Sequence, residues 1–299
     1  MVRFHPGALV SFLIFLILLE SLKVKIFKKI LPFVAFFILG LSLVVFSNEK
    51  GFFFKESPSQ VTPKNPESLH KFAIISDIHS DYKNLERALL LVEENKNDFL
   101  IITGDLTTLG KKEELEEVKK ILDKSGLRYF VIPGNHDLWA GEQLKVDIYG
   151  EVFDYSYKSL KEDGIKYILI NNGSDYGIDE KQEKWLESEV EECPQVYCLV
   201  FMHIPLNHPK SIYIMGEENP EVASQAANLI KLLSENKIKE VFAGHLHSSS
   251  SYILENLATN IVGAITSNRN FESPKYLEVT LEKRGEEIIL GKKEVFLSP

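Results

Sequence analysis

Cysteine is scarce in this sequence, which contains only Cys193 and Cys198 among its 299 residues. Two cysteines are too few for a disulfide scaffold or for a zinc site with four thiolate ligands. Glycine and proline number only 17 and 12, which excludes collagen-like and low-complexity chains. Cys198 falls in an apolar strand, so we expect both cysteines to be buried free thiols, although an exported domain would permit a disulfide.

Positive charge is in the minority. The chain has 34 Lys and Arg against 43 Asp and Glu, a formal net charge of −9. Proteins that bind nucleic acid neutralise its phosphates with Lys and Arg, so this balance argues against a nucleic-acid partner. Hydrophobic residues make up 44% of the chain, which is ordinary for a globular protein with a large core.

Two uncharged apolar runs stand near the N-terminus, at Ala8–Leu19 and Ile30–Phe46, with a lysine cluster between them at 23–29. The second run has 17 residues, the short end of what spans a bilayer, and the first is too short alone. Residues 1–47 are therefore predicted to form a membrane anchor of one or two hydrophobic segments. A buried apolar hairpin is the alternative, but an uninterrupted apolar run beside a lysine cluster is unusual in a soluble core.

The lysine cluster also predicts the orientation of the anchor. Positive charges beside a membrane span stay cytoplasmic, so everything after Phe46 is expected to be extracytoplasmic. This holds for a single-pass anchor and for a two-pass anchor if the first run also spans. A cleaved signal peptide, which the lack of a small-residue cleavage site after Phe46 disfavours, would export the same part of the chain. Residues 48–69 contain three prolines and many small polar residues, which predicts a flexible linker. The folded domain is expected at residues 70–299, held at the cell membrane through contact of the anchor with the lipid bilayer.

From His70 onward, apolar runs alternate with segments of helical periodicity. The predicted strands are Phe72–Ser76, Phe99–Thr103, Tyr129–Ile132, Tyr167–Ile170, Val196–Met202 and Glu240–Ala243. The predicted helices are Asn84–Glu94, Lys111–Lys124, Asp179–Glu192, with Asp179 as its N-cap, and Pro220–Asn236. The chain after Ser250 is rich in strand-forming residues. Strands that are apolar throughout predict an α/β fold with a sheet buried on both faces by helices.

Polar motifs follow five of these strands. They are Asp77-Ile78-His79, Gly104-Asp105, Gly134-Asn135-His136-Asp137, His203, and Gly244-His245-Leu246-His247. Five of the eight histidines of the chain lie in these motifs. Because ligands of open α/β sheets bind beyond the carboxyl ends of the strands, the motifs are expected to meet in one site.

The residue types in the motifs indicate metal binding. Asp, His and Asn donors without thiolates suit Mn, Fe, Co or Zn. Seven donors are too many for one tetrahedral ion, but they fit two ions that share a carboxylate. Two ions roughly 3.5–4 Å apart can hold a nucleophilic hydroxide and clamp a phosphoryl group. We also expect Asp-x-His and His-x-His to lie on extended segments, because an extended chain directs alternate side chains to the same side.

These five motifs, in this order and each after an apolar strand, resemble those of the calcineurin-like metallophosphoesterase superfamily. The resemblance extends over about residues 70–297. It implies an α/β fold, a β-sandwich flanked by helices, that holds two divalent ions (Mn, Fe, Zn or Co). The implied metal ligands are Asp77, His79, Asp105, Asn135, His203, His245 and His247, with Asp105 shared by both ions. His136 would then protonate the leaving oxygen, and Asp137 would orient its ring.

The hypothesis from the sequence is a membrane-anchored binuclear phosphoesterase. It would hydrolyse a small phosphate mono- or diester by attack of metal-bound hydroxide, with His136 as general acid. One alternative is a cyclic-nucleotide phosphodiesterase-like enzyme of narrow specificity. Another is a non-catalytic binding module on the same fold, although no predicted ligand is missing. A nuclease would need a basic groove to bind the phosphates of its substrate, and the acidic composition of the chain does not indicate one. The substrate, the metal identities and the oligomeric state stay open.

Overall fold

The computed structural model describes residues 67–297. The predicted anchor and residues 48–66 of the predicted linker lie outside this part of the chain, so the anchor stays a prediction. Among the described residues, no helix combines the length and the apolar character needed to cross a bilayer.

The first of two sheets contains the three strands that open the folded domain. Its strands are β1 (Glu67–Ile75), β2 (Phe99–Thr103), β3 (Tyr129–Ile132), β10 (Lys275–Arg284) and β11 (Glu287–Phe296). Their order across the sheet is β11-β10-β1-β2-β3. Strands β1, β2 and β3 are parallel, with Phe72 opposite Phe99, and β10 is antiparallel to both β1 and β11. The carboxyl ends of β1, β2 and β3 therefore share one edge.

The second sheet has six strands, of which four are parallel. Its strands are β4 (Lys158–Glu162), β5 (Ile165–Leu169), β6 (Tyr197–Phe201), β7 (Glu240–Ala243), β8 (Ser250–Leu254) and β9 (Leu257–Ile261). Their order is β4-β5-β6-β7-β9-β8. Strands β5, β6, β7 and β9 run parallel, and β4 and β8 pair antiparallel at the two edges.

Six helices connect the strands of the described region. They are α1 (Tyr82–Glu94), α2 (Lys112–Ser125), α3 (Asn135–Leu144), α4 (Ile148–Phe153), α5 (Glu180–Val190) and α6 (Pro220–Glu235). Asp179 caps α5 as predicted, because its side chain accepts a hydrogen bond from the backbone N–H of Gln182 at 2.7 Å. The sequence did not predict α3 or α4. Helix α3 buries only Asp137 and Gly141 and so has no apolar stripe, and α4 is six residues long.

The two sheets pack against each other, and helices cover the outer face of each one. On β1, the side chains of Phe72 and Ile74 belong to the core between the sheets, together with Tyr167 of the second sheet. The alternate residues Ala73 and Ile75 face the core beneath α1 and α2. The expectation of one sheet with helices on both faces is therefore wrong, and the β-sandwich flanked by helices is observed. A strand that is apolar on both faces does not reveal whether a helix or a second sheet covers it.

The two cysteines form a disulfide, which corrects the expectation of free thiols. Helix α5 ends at Val190 and β6 begins at Tyr197, so the connecting turn brings the Cα atoms of Cys193 and Cys198 to 5.5 Å. This separation is typical of bonded cysteines. Both residues are buried in the core under α5 and α6. The bond therefore joins the end of a helix to the strand that leads to His203.

Candidate metal centre

All seven predicted metal ligands converge at one edge of the sandwich. They follow β1, β2 and β3 in the first sheet and β6 and β7 in the second. Two groups of ligand atoms form there, and within each group the atoms lie within 4.8 Å of one another. The first group is Asp77, His79, Asp105 and His247, and the second is Asp105, His203 and His245. Asp105 belongs to both groups.

The first group is arranged around two imidazole nitrogens. His79 Nε2 lies 2.9 Å from His247 Nε2. A carboxylate oxygen lies beside each ring. Asp105 Oδ2 is 3.3 Å from His79 Nε2, and Asp77 Oδ1 is 3.3 Å from His247 Nε2. Two nitrogens and two carboxylates therefore face a common point.

The second group is arranged around the other oxygen of Asp105. Asp105 Oδ1 lies 3.3 Å from His203 Nε2, so the two oxygens of this carboxylate serve different groups. Asn135 completes the set through its side-chain oxygen, which lies 3.1 Å from both His203 Nε2 and His245 Nδ1. The second group thus combines a carboxylate oxygen, an amide oxygen and two imidazole nitrogens.

Backbone carbonyls determine which ring nitrogens are free to bind a cation. His203 Nδ1 lies 2.8 Å from the carbonyl oxygen of Thr103, and His247 Nδ1 lies 3.0 Å from that of Arg269. A carbonyl oxygen can only accept a hydrogen bond, so each Nδ1 carries the hydrogen. In the neutral form of each ring, the Nε2 lone pair faces the ligand cluster, as in metal-binding histidines. The donor set thus fits a pair of divalent cations.

The electrostatics of the cluster also favour a cation. Burial lowers the pKa of His79 to about 4, which keeps this ring neutral and its lone pair available at pH 7. Burial acts against the charged form of His203 as well, but the Asp105 carboxylate outweighs it and raises the pKa of His203 to about 9. Burial works against ionisation of Asp105, yet the charge of His203 holds the pKa of this carboxyl well below its usual range. Ionised carboxylates therefore draw positive charge into the cluster.

The backbone around the ligands differs from the extended segments expected from the sequence. Five of the predicted ligands have left-handed backbone angles, namely Asp77 (φ 54°), His79 (φ 46°), Asp105 (φ 53°), His245 (φ 70°) and His247 (φ 51°). This conformation costs a residue other than glycine roughly 1–2 kcal/mol, although Asp and His adopt it more readily than most. Hydrogen bonds stabilise it, since the backbone N–H groups of Ile78 and His79 both donate to the Asp105 carbonyl, at 2.8 and 2.9 Å.

Two glycines allow the loops of the cluster to approach closely. A Cβ on Gly134 would lie 2.2 Å from Asp105 Oδ1. A Cβ on Gly104, which has a φ of 96°, would lie 2.6 Å from His203 Nδ1. Only glycine fits at these positions without displacing a ligand.

His136 lies beside the cluster but belongs to neither donor group. Its half-buried ring has its centroid 4.7 Å from that of His79. His136 Nδ1 donates to the carbonyl oxygen of Thr108 at 2.7 Å, because a carbonyl can only accept. The Thr108 carbonyl therefore fixes the orientation of the ring, and Nε2 points away from this contact.

The structure differs from the prediction that Asp137 orients the His136 ring. The buried Asp137 carboxylate accepts four hydrogen bonds from other groups. The donors are the backbone N–H groups of Leu106, Thr107 and Gly134, at 3.0, 2.8 and 2.9 Å, and the Thr107 hydroxyl at 2.7 Å. Asp137 thus connects the loop after β2 to the loop after β3. The orienting partner of His136 is a backbone carbonyl, for which the sequence carries no side-chain signal.

Two cavities open beside the cluster. One, of about 390 Å³, is lined by Asn135 and His245 together with Tyr176 and Tyr213. The other, of about 350 Å³, is lined by Asn135, His136, Trp139 and Arg269. Because Asn135 lines both, the two cavities flank the same point. A phosphate at the cluster therefore has room for an organic group on each side. The sequence motifs did not indicate Trp139 or Tyr176.

The sequence was compared with models of known protein families. The model of the calcineurin-like phosphoesterase family matches residues 70–249. The chain belongs to this family. The ligand cluster occupies the edge at which the family motifs of the sequence meet.

Curated relatives of this phosphoesterase share the folded part of the chain. It is 28% identical over 186 residues to a probable glycerophosphodiester phosphodiesterase, GpdQ, of Arcobacter nitrofigilis, covering 58% of this chain and 65% of that protein. It is 25% identical over 183 residues to a probable cyclic nucleotide phosphodiesterase of Rhodococcus erythropolis, covering 56% and 57%. The chain thus spans about 60% of the length of these relatives.

Solved structures show the same fold at low sequence identity. GAP50, the anchor in the inner membrane complex of Plasmodium, gives a TM-score of 0.51 at 12% identity, covering 78% of this chain and 90% of that one. The purple acid phosphatase PPD1 of yellow lupin seeds gives 0.51 at 11% identity, covering 77% and 54%. These similarities concern the fold alone.

Proposed function

We propose that this metallophosphoesterase is binuclear and hydrolyses a phosphodiester. The observation that carries the proposal is the position of Asp105, whose two oxygens lie 3.3 Å from His79 and from His203, in two separate donor groups. The cavities on both sides of Asn135 support a diester, because its phosphorus carries two organic groups. The phosphodiesterase names of the relatives agree with this preference.

The residues assigned to each ion follow from the two donor groups. The first ion would be held by Asp77, His79, Asp105 and His247, and the second by Asp105, Asn135, His203 and His245. Bound ions of this kind neutralise phosphoryl charge and lower the pKa of water toward 7. Mn, Fe, Zn and Co all suit this mixture of carboxylate, imidazole and amide donors.

His136 is proposed to protonate the leaving oxygen. With Nδ1 donating to the Thr108 carbonyl, a protonated ring has its second hydrogen on Nε2. The hydrogen bond to the carbonyl fixes the ring plane and leaves Nε2 as the nitrogen that can give up a proton, as a general acid requires. His136 also lines the cavity that contains Trp139, so its proton faces the space in which a leaving group would lie. Asp137 acts as a positioning residue by fixing the loop that carries Asp105.

A paired assay tests the proposed substrate class. The purified full chain with Mn²⁺ is assayed with bis-p-nitrophenyl phosphate, p-nitrophenyl phosphate and 3′,5′-cyclic AMP. We expect kcat/KM for the diester to exceed that for the monoester by about tenfold or more. Preference for the monoester would contradict the proposal, and cyclic AMP as the best substrate would identify the narrower cyclic-nucleotide function. The variant His208→Ala serves as control, because this ring contacts Ser250 and belongs to neither donor group.

We propose further that residues 1–47 anchor the enzyme in the cell membrane, with the catalytic domain outside the cytoplasm. The lysine cluster at 23–29 supports this orientation, because positive charges beside a membrane span stay cytoplasmic. The Cys193–Cys198 disulfide supports it independently, since disulfides persist in oxidising compartments. Protease added to intact cells should digest the chain beyond Phe46. Full protection of the catalytic domain would contradict the orientation.

A further inference from the structure

Exposed aromatic side chains concentrate around the opening of the metal centre. Among the described residues, the exposed aromatic side chains are Trp139 (46% exposed), Tyr176 (80%), Tyr213 (60%), Phe271 (85%) and Phe296 (51%). Phe296 ends β11, whereas the other four lie on segments that carry or contact the metal centre. Large exposed apolar groups gathered in one region indicate a contact surface.

Contacts place each of the four beside the centre. The Trp139 ring lies 6.1 Å from that of His136. Tyr176 and Tyr213 line the cavity that His245 also lines. Phe271 lies on the loop whose Arg269 carbonyl accepts the hydrogen bond from His247. Trp139 lies on the helix that follows β3 of the first sheet, whereas Tyr176 and Tyr213 lie on loops that follow β5 and β6 of the second sheet.

A small substrate in the cavities would not cover this surface. Phe271 and the 67% exposed Ile212 line neither cavity. The loop of Phe271 is also fixed in place, because Glu272 accepts a hydrogen bond from the Ser249 backbone at 3.0 Å and forms an ion pair with Lys275 at 2.7 Å. An 85% exposed phenylalanine held outward on a fixed loop indicates contact with something larger than the ester being hydrolysed.

We propose that an aromatic rim, defined as Trp139, Tyr176, Ile212, Tyr213 and Phe271, inserts into the lipid–water interface of the bilayer that anchors the chain. The proposal rests on the membrane anchor proposed above. Aromatic side chains, above all Trp and Tyr, are the residues that occupy this interface, with their rings at the level of the headgroups. Insertion would bring the opening of the metal centre to the membrane surface.

The segment between the predicted anchor and Glu67 is long enough for the rim to reach the bilayer. Strand β1 has nine residues and spans about 30 Å, and its carboxyl end leads to Asp77. Its first residue, Glu67, therefore lies at the end far from the rim. The chain between Phe46 and Glu67 is 20 residues long and can reach at most about 70 Å. That reach exceeds the length of β1, so the attachment point does not hold the rim away from the bilayer.

The charges beside the rim specify the headgroup. Acidic side chains outnumber basic ones in the lining of the two cavities, where Glu142, Asp175, Glu217 and Glu218 stand against Arg269. Exposed carboxylates repel an anionic bilayer surface, whereas the ammonium groups of zwitterionic lipids are attracted to carboxylates and aromatic faces. The partner is therefore a zwitterionic lipid surface, such as phosphatidylethanolamine with phosphatidylcholine.

The two tryptophans of the chain provide a probe and its internal control. Trp139 belongs to the rim, and Trp185 on α5 packs beside Tyr157 at a ring distance of 4.7 Å, against the core. The full chain is reconstituted as Trp185→Phe or Trp139→Phe in vesicles of phosphatidylethanolamine and phosphatidylcholine with brominated acyl chains. We expect the bromine to reduce Trp139 fluorescence at least about twofold and to leave Trp185 unchanged. Replacing the zwitterionic lipids with phosphatidylglycerol should weaken the quenching.

Matched variants separate insertion from general hydrophobicity. In the Trp185→Phe background, Tyr213→Ser with Phe271→Ser should abolish most of the quenching, since each buried ring contributes about tenfold in partitioning. Leu90→Ser with Ile253→Ser should leave it unchanged, although these side chains are 60% and 75% exposed. Equal effects of the two pairs would overturn the proposal.

Separate readouts distinguish the ways in which the proposal can fail. Reconstituted chain that floats with the vesicles but shows no quenching of Trp139 would overturn the docking surface and leave the anchor intact. Chain that does not float would overturn the anchor and the docking surface with it. A concentration-dependent shift of Trp139 emission without lipid would instead identify the rim as a contact between two copies, against the proposal. Hydrolysis of bis-p-nitrophenyl phosphate in the same samples reports on the metal centre independently.

Discussion

Replacing Gly134 with alanine should inactivate the enzyme while leaving it folded. Gly134 has φ −100° and ψ −179°, an extended backbone that alanine adopts without strain. Its added Cβ, however, would lie 2.2 Å from Asp105 Oδ1 and 2.4 Å from the Asp105 backbone nitrogen. Ordinary contacts between heavy atoms are about 3.5 Å, so the shared carboxylate must move by about 1 Å. A displacement of that size costs about 10²-fold in rate, and overpacking costs about 1–3 kcal/mol in free energy of unfolding.

Gly126→Ala is the matched control for this variant. Gly126 ends α2 with a φ of 71° and has no atom within 4 Å of the position that a Cβ would take. Alanine there costs about 1 kcal/mol of backbone strain, which lowers Tm by about 2–4 °C in a domain of this size but leaves the metal centre unchanged. Both variants are assayed for Mn²⁺-dependent hydrolysis of bis-p-nitrophenyl phosphate and for thermal unfolding. The explanation is wrong if Gly134→Ala retains half of the activity, or if Gly126→Ala loses as much activity as Gly134→Ala.

Three further variants test separate parts of the account. His136→Ala should keep both metals bound and slow turnover by about 10²–10⁴-fold, most for esters with poor leaving groups; loss of metal would contradict its assignment as the general acid. Asp105→Asn should bind fewer than two metals per chain and lose at least about 10²-fold in activity, because both donor groups use this carboxylate; two tightly bound ions would argue against sharing. Replacing Cys193 and Cys198 together with alanine should lower the free energy of unfolding by about 2 kcal/mol, measured by chemical denaturation, whereas an unchanged midpoint would mean that the bond forms no constraint in the purified protein.

Much of the fold could be predicted because its buried strands are short and apolar. Phe99–Thr103, Tyr129–Ile132 and Glu240–Ala243 are observed with the predicted bounds. The convergence of the motifs could be predicted as well, since the carboxyl ends of parallel strands share an edge. The polar edge strand Lys158–Glu162 was missed, because none of its residues is fully buried and it has no apolar run.

The features that escaped prediction depend on tertiary contacts or on the backbone. A run such as Phe72–Ile75 reads the same whether a sheet or a helix covers each face. The left-handed angles of Asp77 and His79 arise from hydrogen bonds with the distant Asp105 loop. The ring partners Thr108 and Arg269 act through carbonyl groups, which every residue type possesses.

The presence of two catalytic metals per chain is the central claim, and metal titration of the full chain tests it most directly. The purified protein is stripped with a chelator, Mn²⁺ is added stepwise, and bound metal and hydrolysis of bis-p-nitrophenyl phosphate are measured at each step. The account predicts no turnover without metal, and maximal turnover as two ions bind per chain. Full activity of the metal-free chain, or a folded chain that binds two ions without hydrolysing any ester, would contradict it.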